Sequence, residues 1–433
     1  MEKNHGITLV VLVITIIVML ILVGVGITVA INGGLIGTAQ DATIKSKQKE
    51  AEKRIETLLT YYNAQEYIGE TGSLKEYLIE KLGAGEVTDN RDGTYTIEIE
   101  GSQIIVKEDG SISIPVSRPG LQIGDYVNYT PTAPSNTALE ELNTEVNAYS
   151  GYTSATQDLS QSTYTGLKWQ ILNIHPDGTI DLVSTPTTGT VYFGGAQGYN
   201  NGVYLMHDIC KVLYSNSTLG VEARSINLND IEYHMTPAGI TARNGYKRTI
   251  GEKDVKYGDT YTYEGNYSYY PNLYAQENKS GINIDKEPEE TIKERLKADG
   301  IDDGNPAQID TNTGSNARGQ ANTKGLTVTQ TYYASVSFNS TNYDAKAASV
   351  LQTSNRYWVA SRYVLCNSPY ASFGLRYADS YVNGYYVFYS NSYSRTYDYR
   401  LRAVVSLGSN IQIETCTGTN GVNNPHTISS LGA

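Results

Sequence analysis

The segment YVLCNSPYASFGLRYADSYVNGYYVFYSNSYSRTYDY, residues 363–399, decides how the rest of this 433-residue chain is interpreted. It holds ten tyrosines interleaved with Ser, Asn, Gly, Asp and Arg. Tyrosine offers a large, stiff contact surface at a low cost in side-chain entropy, and Ser, Gly and Asn supply adaptable hydrogen bonds, as in antibody combining sites. This composition predicts a recognition surface. The alternative is a β-meander in which the aromatic side chains only pair across strands.

The residue types that are missing indicate a diversified surface. The longer stretch 359–411 contains no Lys, Glu, Gln, Met, His or Trp. When an Asn codon of the form AAY is randomised at its first two bases, Lys, Glu, Gln, Met and Trp cannot arise, and neither can a stop codon. We therefore expect a variable recognition site on a fixed scaffold, with the variable stretch at about residues 359–411.

The overall composition limits the classes of partner and the redox chemistry. The net charge of −12 argues against nucleic acid as a partner, because a nucleic-acid site needs a basic surface. Three cysteines in a chain of this length do not make a disulfide framework. Cys210 fits a small core residue, whereas the sequence leaves open whether Cys366 and Cys416 pair.

The N-terminal residues 7–31 predict a membrane anchor. This run has no charged residue and is dominated by Ile, Val and Leu. Its length is enough for a helix to cross a hydrocarbon core of roughly 30 Å. A secretory signal peptide is the alternative, but its apolar region is usually only about 7–15 residues long. We assign residues 1–31 to a leader and a transmembrane helix.

The junction Gly6-Ile7-Thr8-Leu9 resembles the cleavage site of type IV prepilins and pseudopilins. In that family the leader ends in Gly and the mature chain begins with an apolar residue, so the resemblance implies cleavage between Gly6 and Ile7. The family usually carries Glu at the fifth mature position, where this chain has Val11. Because that Glu is associated with subunit assembly, Val11 weakens the expectation of a true pilus.

Residues 32–115 predict a small stalk. A helical period covers residues 41–65, and Ser73 and Glu76 form the pattern of a capping box at the start of a second helix. Three strands of an antiparallel meander follow, separated by Gly-containing turns: 94–98, 103–107 and 111–114. A helix on a small antiparallel sheet is what a pilin-like stalk implies. Residues 115–120, rich in Pro and Gly, predict a linker.

Residues 121–433 predict a large α+β domain. Residues 176–178, Pro-Asp-Gly, predict a hairpin turn, with Trp169 as a core residue on its first strand. Residues 130–165 are predicted to form a surface loop, and Asn383-Gly384 is predicted to form a hairpin turn. Other elements are expected as follows: helices at 201–214 and 227–235, a solvated insertion at 246–322 with a charged helix at 288–298, strands at 328–333 and 356–360, and a strand at 400–407 with one apolar face.

The sequence contains little that indicates a catalytic site or a metal site. His207 and His234 lie near predicted helices, but neither has a second His or acid at metal-ligand spacing. The acidic run 299–310 fails as an EF-hand loop because Ile301 occupies the third ligand position. No nucleophile elbow, phosphate loop or His/acid cluster of useful spacing is present. We expect neither an enzyme nor a cofactor.

The motifs that bracket the tyrosine-rich stretch carry a second resemblance. The segments YWVASR (357–362), FGLR (373–376) and RAVVSL (402–407) frame it. This arrangement resembles the variable proteins of diversity-generating retroelements, whose C-terminal domain has a C-type-lectin fold akin to formylglycine-generating enzyme. The resemblance implies a C-type-lectin-like α+β domain over residues 121–433. It also implies a ligand-binding face at the positions of this stretch that match: Tyr363, Asn367, Tyr370, Tyr377, Asp379, Tyr381, Asn383, Tyr385, Tyr386, Tyr389, Asn391, Tyr393, Tyr397 and Tyr399.

The expected function is a surface-displayed binding protein that presents a diversified, tyrosine-rich face on a membrane- or pilus-anchored stalk. Trp358, Leu375, Val387, Leu401 and Val405 are expected to form the scaffold beneath that face. The partner would be a protein or glycan on another cell or phage, and the C-terminal domain would be extracellular. The alternative is a pilin- or pseudopilin-like structural subunit with a fixed decorative domain.

Overall fold

The computed structural model divides the chain into two compact units, Met1–Val116 and Ser117–Ala433. Both contain helices and antiparallel strands, and the fold class is α+β. The described residues are 35–67, 72–90, 93–99, 101–116, 118–160, 164–250, 253–256, 259–263, 326–329, 336–367, 370–389 and 393–431. The predicted anchor at residues 7–31, including Gly6-Ile7, lies outside these ranges. In the described part of the chain, no helix is long and apolar enough to cross a membrane.

The first unit packs two helices on an antiparallel sheet. Helix α1 (Leu35–Tyr67) buries Ala51, Ile55, Leu59 and Tyr62 along one face, which confirms the predicted helical period. The capping box before helix α2 (Leu74–Leu82) is also confirmed. There the Ser73 hydroxyl accepts from the Glu76 N–H, and the Glu76 carboxylate accepts from the Ser73 N–H.

The sheet of the first unit has four strands, so the prediction of three was wrong. They are β1 (Val87–Asp89), β2 (Thr94–Ile99), β3 (Ser102–Lys107) and β4 (Ile112–Ser113), paired in that order. The first strand is only three residues long and buries one side chain, Val87, so it has no alternation that a sequence could show. The sheet contributes six side chains to the core: Val87, Tyr95, Ile97, Ile99, Ile104 and Val106.

The second unit is built on a seven-stranded sheet. Its strands are β5 (Tyr126–Asn128), β6 (Trp169–Ile174), β7 (Ile180–Ser184), β9 (Ala223–Ser225), β18 (Ala403–Leu407), β19 (Ile411–Glu414) and β20 (His426–Leu431), in the order β19-β20-β5-β6-β7-β18-β9. The predicted hairpin at residues 176–178 joins β6 and β7, and Trp169 is buried. Both predictions are confirmed.

Strand β18 separates two hydrophobic cores. Leu401, Ala403, Val405 and Leu407 belong to one core, as the predicted one-sided pattern requires. Val404 points to the opposite face and belongs to a second core. Because β18 is buried on both faces, its burial alone does not fix its register. Hydrogen bonding to β7 on one side and to β9 on the other does so.

Five helices are described in the second unit, and three of them were not predicted: Asn136–Tyr149, Pro237–Gly245 and Ala345–Leu351. Helix α3 (Asn136–Tyr149) lies within residues 130–165, which the sequence assigned to a loop; that assignment was wrong over this range. Ser135 caps α3 by accepting from the Ala138 N–H, and Leu142 and Val146 are buried. The remaining helices of the unit are α4 (Gly195–Tyr214), α5 (Leu228–Glu232), α6 (Pro237–Gly245) and α7 (Ala345–Leu351).

Six further strands of the second unit form pairs outside the seven-stranded sheet. Strands β10 (Lys247–Ile250) and β11 (Lys253–Lys256) pair with each other, as do β12 (Thr260–Tyr263) and β13 (Leu326–Thr329), while β8 (Val191–Gly194) pairs with β17 (Thr396–Tyr399). The insertion predicted at 246–322 therefore begins with strands. Its helix at 288–298 and its acidic run at 299–310 lie outside the described residues.

The tyrosine-rich stretch forms a three-stranded antiparallel sheet. Its strands are β14 (Tyr357–Asn367), β15 (Tyr370–Ala378) and β16 (Val382–Tyr389). The hairpin turn expected at Asn383-Gly384 was wrong, because both residues lie inside β16, opposite Tyr377 and Arg376.

The turn between β15 and β16 falls at residues 379–381 instead. The Asp379 carboxylate accepts from the Ser380 N–H, and the Ser380 carbonyl accepts from the Phe338 N–H at 2.8 Å. This register buries Ala378 and Val382 in the second core. Tertiary packing thus overrides the local preference of the Asn-Gly pair.

Candidate functional site

Four tyrosines from three strands stack at one end of the tyrosine-rich sheet. The rings of Tyr377 (β15) and Tyr385 (β16) are parallel, with centroids 4.9 Å apart, and Tyr385 stacks on Tyr397 (β17) at 4.3 Å. Tyr399, also on β17, lies 4.9 Å from Tyr377. We call Tyr377, Tyr385, Tyr397 and Tyr399 the tyrosine stack. Offset stacking at these distances is favourable beyond the area that it buries.

The guanidinium group of Arg356 lies over this stack. It is 5.1 Å from the centroid of Tyr377, 5.6 Å from Tyr385 and 5.8 Å from Tyr399. Its Nη1 donates to the Tyr385 hydroxyl at 3.2 Å, and its Nε lies 3.5 Å from a carboxylate oxygen of Asp379. These contacts hold a cation at the surface of an aromatic cluster, a geometry that favours cation–π attraction.

Buried, closely packed side chains support the tyrosine stack. Trp358 is fully buried, its ring lies 4.6 Å from Tyr399 and 5.4 Å from Phe193, and its indole N–H donates to the Val191 carbonyl at 2.8 Å. Leu375 packs in the same core. The tyrosine stack therefore rests directly on the main hydrophobic core of the second unit.

A second group of aromatic residues surrounds Arg395. Tyr389 lies 5.9 Å from Tyr386 and 5.6 Å from Tyr393, and the Arg395 guanidinium is 5.6 Å from the ring of Tyr389 and 5.5 Å from that of Tyr393. Arg395 Nη1 also donates to the Tyr397 hydroxyl at 3.2 Å. Through this bond Arg395 connects the second group to the tyrosine stack.

The predicted site residues fall into distinct classes of exposure. Tyr377, Tyr389 and Tyr399 are buried, and Tyr393 is the most exposed of those whose burial the structure describes, at 54%. The half-buried ones are Asp379, Tyr381, Asn383, Tyr385, Tyr386 and Tyr397. Tyr363 and Asn367 lie on β14 and Tyr370 on β15, whereas Asn391 is outside the described residues.

The structure adds two arginines that the sequence analysis did not select. Arg356 precedes the tyrosine-rich stretch. Arg395 lies within it, but the predicted site residues were all Tyr, Asn or Asp. A sequence signal was available for Arg395, which lies between Tyr393 and Tyr397, because an Arg beside several Tyr often contributes to cation–π contacts and to binding hot spots. The tyrosine stack, the group around Arg395 and these two cations together form what we call the tyrosine face.

The two buried tyrosines of the stack, Tyr377 and Tyr399, remain neutral around physiological pH. Burial raises the pKa of Tyr377 and also that of Tyr399 above the ordinary tyrosine value. The nearby Arg356 acts in the opposite direction on both groups, but the burial effect is larger. At these two positions the stack therefore presents neutral hydroxyl groups rather than phenolate charges.

The scaffold residues predicted beneath the face are all buried. Trp358, Leu375, Val387, Leu401 and Val405 have no exposed surface, which confirms their assignment as core residues. The framing motifs contribute three more buried side chains, Arg362, Arg376 and Arg402. Arg402 donates to the Ser184 carbonyl at 2.8 Å and to the Val350 carbonyl at 2.9 Å. All three arginines therefore belong to the buried support and not to the surface.

One polar cluster outside the face combines Ser, His and Asp side chains. Asp181 accepts from the Ser406 hydroxyl at 2.6 Å and lies 2.7 Å from His175 Nε2. A nucleophile needs its base within hydrogen-bond reach. Here Ser406 and His175 both bond to the same carboxylate, and this arrangement differs from a catalytic triad, in which the base lies between the nucleophile and the acid.

His234 and Cys210 are core residues, as the sequence predicted for Cys210. His234 is buried, and this burial lowers its pKa to about 4, as expected of a neutral core histidine. Cys210 is buried in the main core, and Cys416 is a free thiol that accepts from the Asn420 amide at 3.7 Å. Within the described ranges, no group of three or more His, Cys, Asp and Glu side chains is arranged to hold a metal ion.

Comparison of this chain with protein-family models, with curated proteins and with solved structures finds no match. The geometry of the tyrosine face and the sequence patterns around it are therefore what indicate a function.

Proposed function

We propose that this protein is a surface-displayed binding protein whose tyrosine face recognises a protein or glycan on another cell or a phage. The observation that carries this proposal is the arrangement of half-buried tyrosines and two arginines on a fully packed support. Tyr and Arg are enriched among the residues that dominate the energetics of protein interfaces. They come together from β15, β16, β17 and the segments beside these strands, and a recognition surface requires such a concentration.

The face is held in place before any partner binds. Tyr385 and Tyr397 stack on each other, and each hydroxyl accepts from an arginine, Arg356 or Arg395. Ordering a mobile side chain at an interface costs roughly 0.5–1.5 kcal/mol per residue. Stacking and hydrogen bonding in the free protein meet much of this cost in advance, so these rings are suited to serve as binding anchors.

The separation of face and support also fits a diversified surface. The half-buried and exposed positions can change without opening a cavity, because Trp358, Leu375 and Val387 fill the core beneath them. Substitutions away from buried positions usually change stability by less than about 0.5 kcal/mol. A scaffold of this kind tolerates many sequences on one face, in agreement with the residue types that are missing from residues 359–411.

On this basis we propose that the second unit belongs with the variable proteins of diversity-generating retroelements and has a C-type-lectin-like fold. The supporting features are the framing motifs, whose Arg362, Arg376 and Arg402 are all buried, and the tyrosine-rich sheet that they enclose. The first unit would act as a stalk, and residues 7–31 would anchor it in the membrane with the second unit outside the cell.

A second candidate is a pilin- or pseudopilin-like structural subunit that carries the tyrosine-rich unit as a fixed decoration. The first unit favours it, since α1 packs its apolar face on an antiparallel sheet, as a pilin-like head would. Val11 at the position where pilins usually carry Glu weighs against assembly.

The diversified-face proposal predicts a defined pattern of variation at this locus. Deep sequencing across a population of the source organism should show substitutions concentrated at Tyr381, Asn383, Tyr385, Tyr393 and Tyr397. Few should fall at Trp358, Leu375 or Val387, since changes there would open the core. The substitutions should also coincide with adenines of a nearby template copy.

The control for this measurement is the hairpin of β6 and β7 in the same unit. Variation in residues 363–399 that is no greater than in this hairpin would contradict diversification. It would favour the structural subunit instead.

A further inference from the structure

Two segments of the second unit, residues 233–239 and 336–344, pair with each other, and we call this contact the junction. The His234 carbonyl accepts from the Asp344 N–H at 2.8 Å. A second backbone bond, 2.9 Å long, runs from the Thr236 N–H to the opposite segment. The junction therefore joins the end of α5 and the start of α6 to the residues that lead into α7.

The junction is connected to the tyrosine face. The Phe338 N–H donates to the Ser380 carbonyl at 2.8 Å, and Ser337 forms a β-bridge with Tyr381. Phe338 also packs with Val382 in the second core. A separation of the junction would therefore remove the partners of the turn between β15 and β16.

Two polar atoms are buried in the junction without hydrogen bonds. Nε2 of His234 and the hydroxyl of Tyr343 have no partner within the described part of the protein. Glu232 and Arg243, whose charges act on Tyr343, pair with each other at 2.7 Å. Unsatisfied buried polar atoms are rare, and they lower the stability of the contact that buries them. The junction is thus a place where the second unit can open locally.

The carboxylates that face His234 are all engaged with other groups. They are Asp181, Asp230 and Asp344. The first bonds His175 and Ser406, the second bonds Arg224 twice at 2.6 Å, and the third accepts from two N–H groups at the start of α7. His175 also faces His234 and would repel a second cation. A proton on His234 would therefore create a buried charge that lacks a free counterion, which is costly.

The cost of this proton gives the junction a defined response to pH. Burial lowers the pKa of His234 to about 4, from 6.5 for an exposed histidine. A closed junction excludes the proton, whereas an opened junction accepts it once the pH falls below 6.5. Opening is therefore favoured progressively between pH 6.5 and pH 4, by up to about tenfold per pH unit.

We propose that mild acid opens the junction and frees the turn of the tyrosine face at residues 379–381. The protonated His234 side chain moves into water, and the Asp344 and Phe338 N–H groups lose their acceptors. Protonation of buried histidines drives pH-sensitive transitions in this way. The opening is a property of the second unit and does not depend on what the face binds, so its failure would leave the proposed recognition function untouched.

The test is hydrogen exchange with mass spectrometry on the full-length chain at pH 7.5 and pH 5, with labelling times scaled to the intrinsic exchange rate. Protection of peptides that cover residues 336–344 and 379–389 is expected to fall about 10- to 30-fold between the two pH values. Peptides from β2 and β3 of the first unit contain no histidine and should keep their protection.

Three variants show whether the proton on His234 is responsible. His234→Gln fills a similar volume but does not titrate, so its protection should be the same at both pH values. His207→Gln, on α4 and outside the junction, is the matched control and should keep the wild-type loss. Tyr343→Phe removes the second unsatisfied atom, so it should raise protection at both pH values and leave their ratio unchanged.

Three results would overturn the proposal. The first is wild-type protection of residues 336–344 that is equal at pH 7.5 and pH 5, and this measurement decides even if a variant does not fold. The second is a junction that opens in acid while residues 379–389 stay protected. The third is a loss of protection in His234→Gln as large as that of the wild type.

Discussion

Replacing Trp358 by Ala is expected to lower the free energy of unfolding by about 3–5 kcal/mol, the range for deleting a large buried aromatic side chain. Trp358 has no exposed surface and packs against Phe193 from β8 and Tyr399 from β17. Its removal leaves a cavity directly beneath the tyrosine stack. The loss is to be measured by urea unfolding followed by circular dichroism.

Trp358→Phe is the matched control. It keeps most of the aromatic volume but removes the indole N–H that donates to the Val191 carbonyl. Losing one buried hydrogen bond of this kind costs about 1–3 kcal/mol, so this variant should lie between the wild type and the Ala variant. If Trp358→Ala unfolded at the same urea concentration as the wild type, the tyrosine stack would not rest on the core that we describe.

Replacing Arg402 by Met is expected to destabilise the protein by a similar amount, about 3–5 kcal/mol. The Arg402 guanidinium bonds the carbonyls of Ser184 and Val350, and it lies 5.1 Å from the ring of Tyr357. A Met side chain fills part of the volume but leaves two buried carbonyls without these donors, at about 1–3 kcal/mol each. The result is to be read from the midpoint of thermal or urea unfolding.

Two variants separate the geometry of Arg402 from its charge. Arg402→Lys keeps the cation but lacks the planar fork that reaches two carbonyls, so it should remain clearly destabilised. Arg400→Met removes a neighbouring arginine that is half-buried and bonds one carbonyl, Thr187. Its cost should stay near 1 kcal/mol. Equal effects of the Arg400 and Arg402 substitutions would contradict a special structural role for the buried arginine.

Local signals predicted the elements that depend on local chemistry. The capping box at Ser73 and Glu76 formed as expected, because its two hydrogen bonds lie within four consecutive residues. The hairpin around residues 176–178 formed because Pro-Asp-Gly favours a turn. The alternation of Leu401, Ala403, Val405 and Leu407 identified a buried strand face correctly, because the period of a strand is two.

Elements that depend on distant packing were missed or misplaced. The Asn383-Gly384 pair favours a hairpin turn locally, yet burial of Ala378 and Val382 places the turn at residues 379–381. Helix α3 has a polar sequence rich in Asn, Thr and Glu, and only Leu142 and Val146 are buried, so its apolar period is weak. In both cases the deciding contacts come from segments that are far away in the sequence.

The sequence predicted which residue types make up the candidate site, but not how these residues are arranged. The predicted site residues, all Tyr, Asn or Asp, include the members of the tyrosine stack. The prediction does not distinguish buried Tyr377 and Tyr399 from exposed Tyr393. That distinction depends on strand register and on β17, which pairs with β8 rather than with β16. Arg356 was missed because it lies outside the tyrosine-rich stretch and reaches the face only in the folded protein.

The most direct test of the tyrosine face measures how many sequences it tolerates. One yeast-display library randomises Tyr381, Asn383, Tyr385, Tyr393 and Tyr397, and a matched library randomises the buried positions Trp358, Leu375, Val387, Leu401 and Val405. The readout is the fraction of displayed clones that resist protease. We expect most clones of the first library and few of the second to resist, since substitutions at surface positions change stability little whereas those in the core destabilise strongly. If both libraries lose resistance alike, the tyrosines are fixed structural residues, and a diversified recognition face is ruled out.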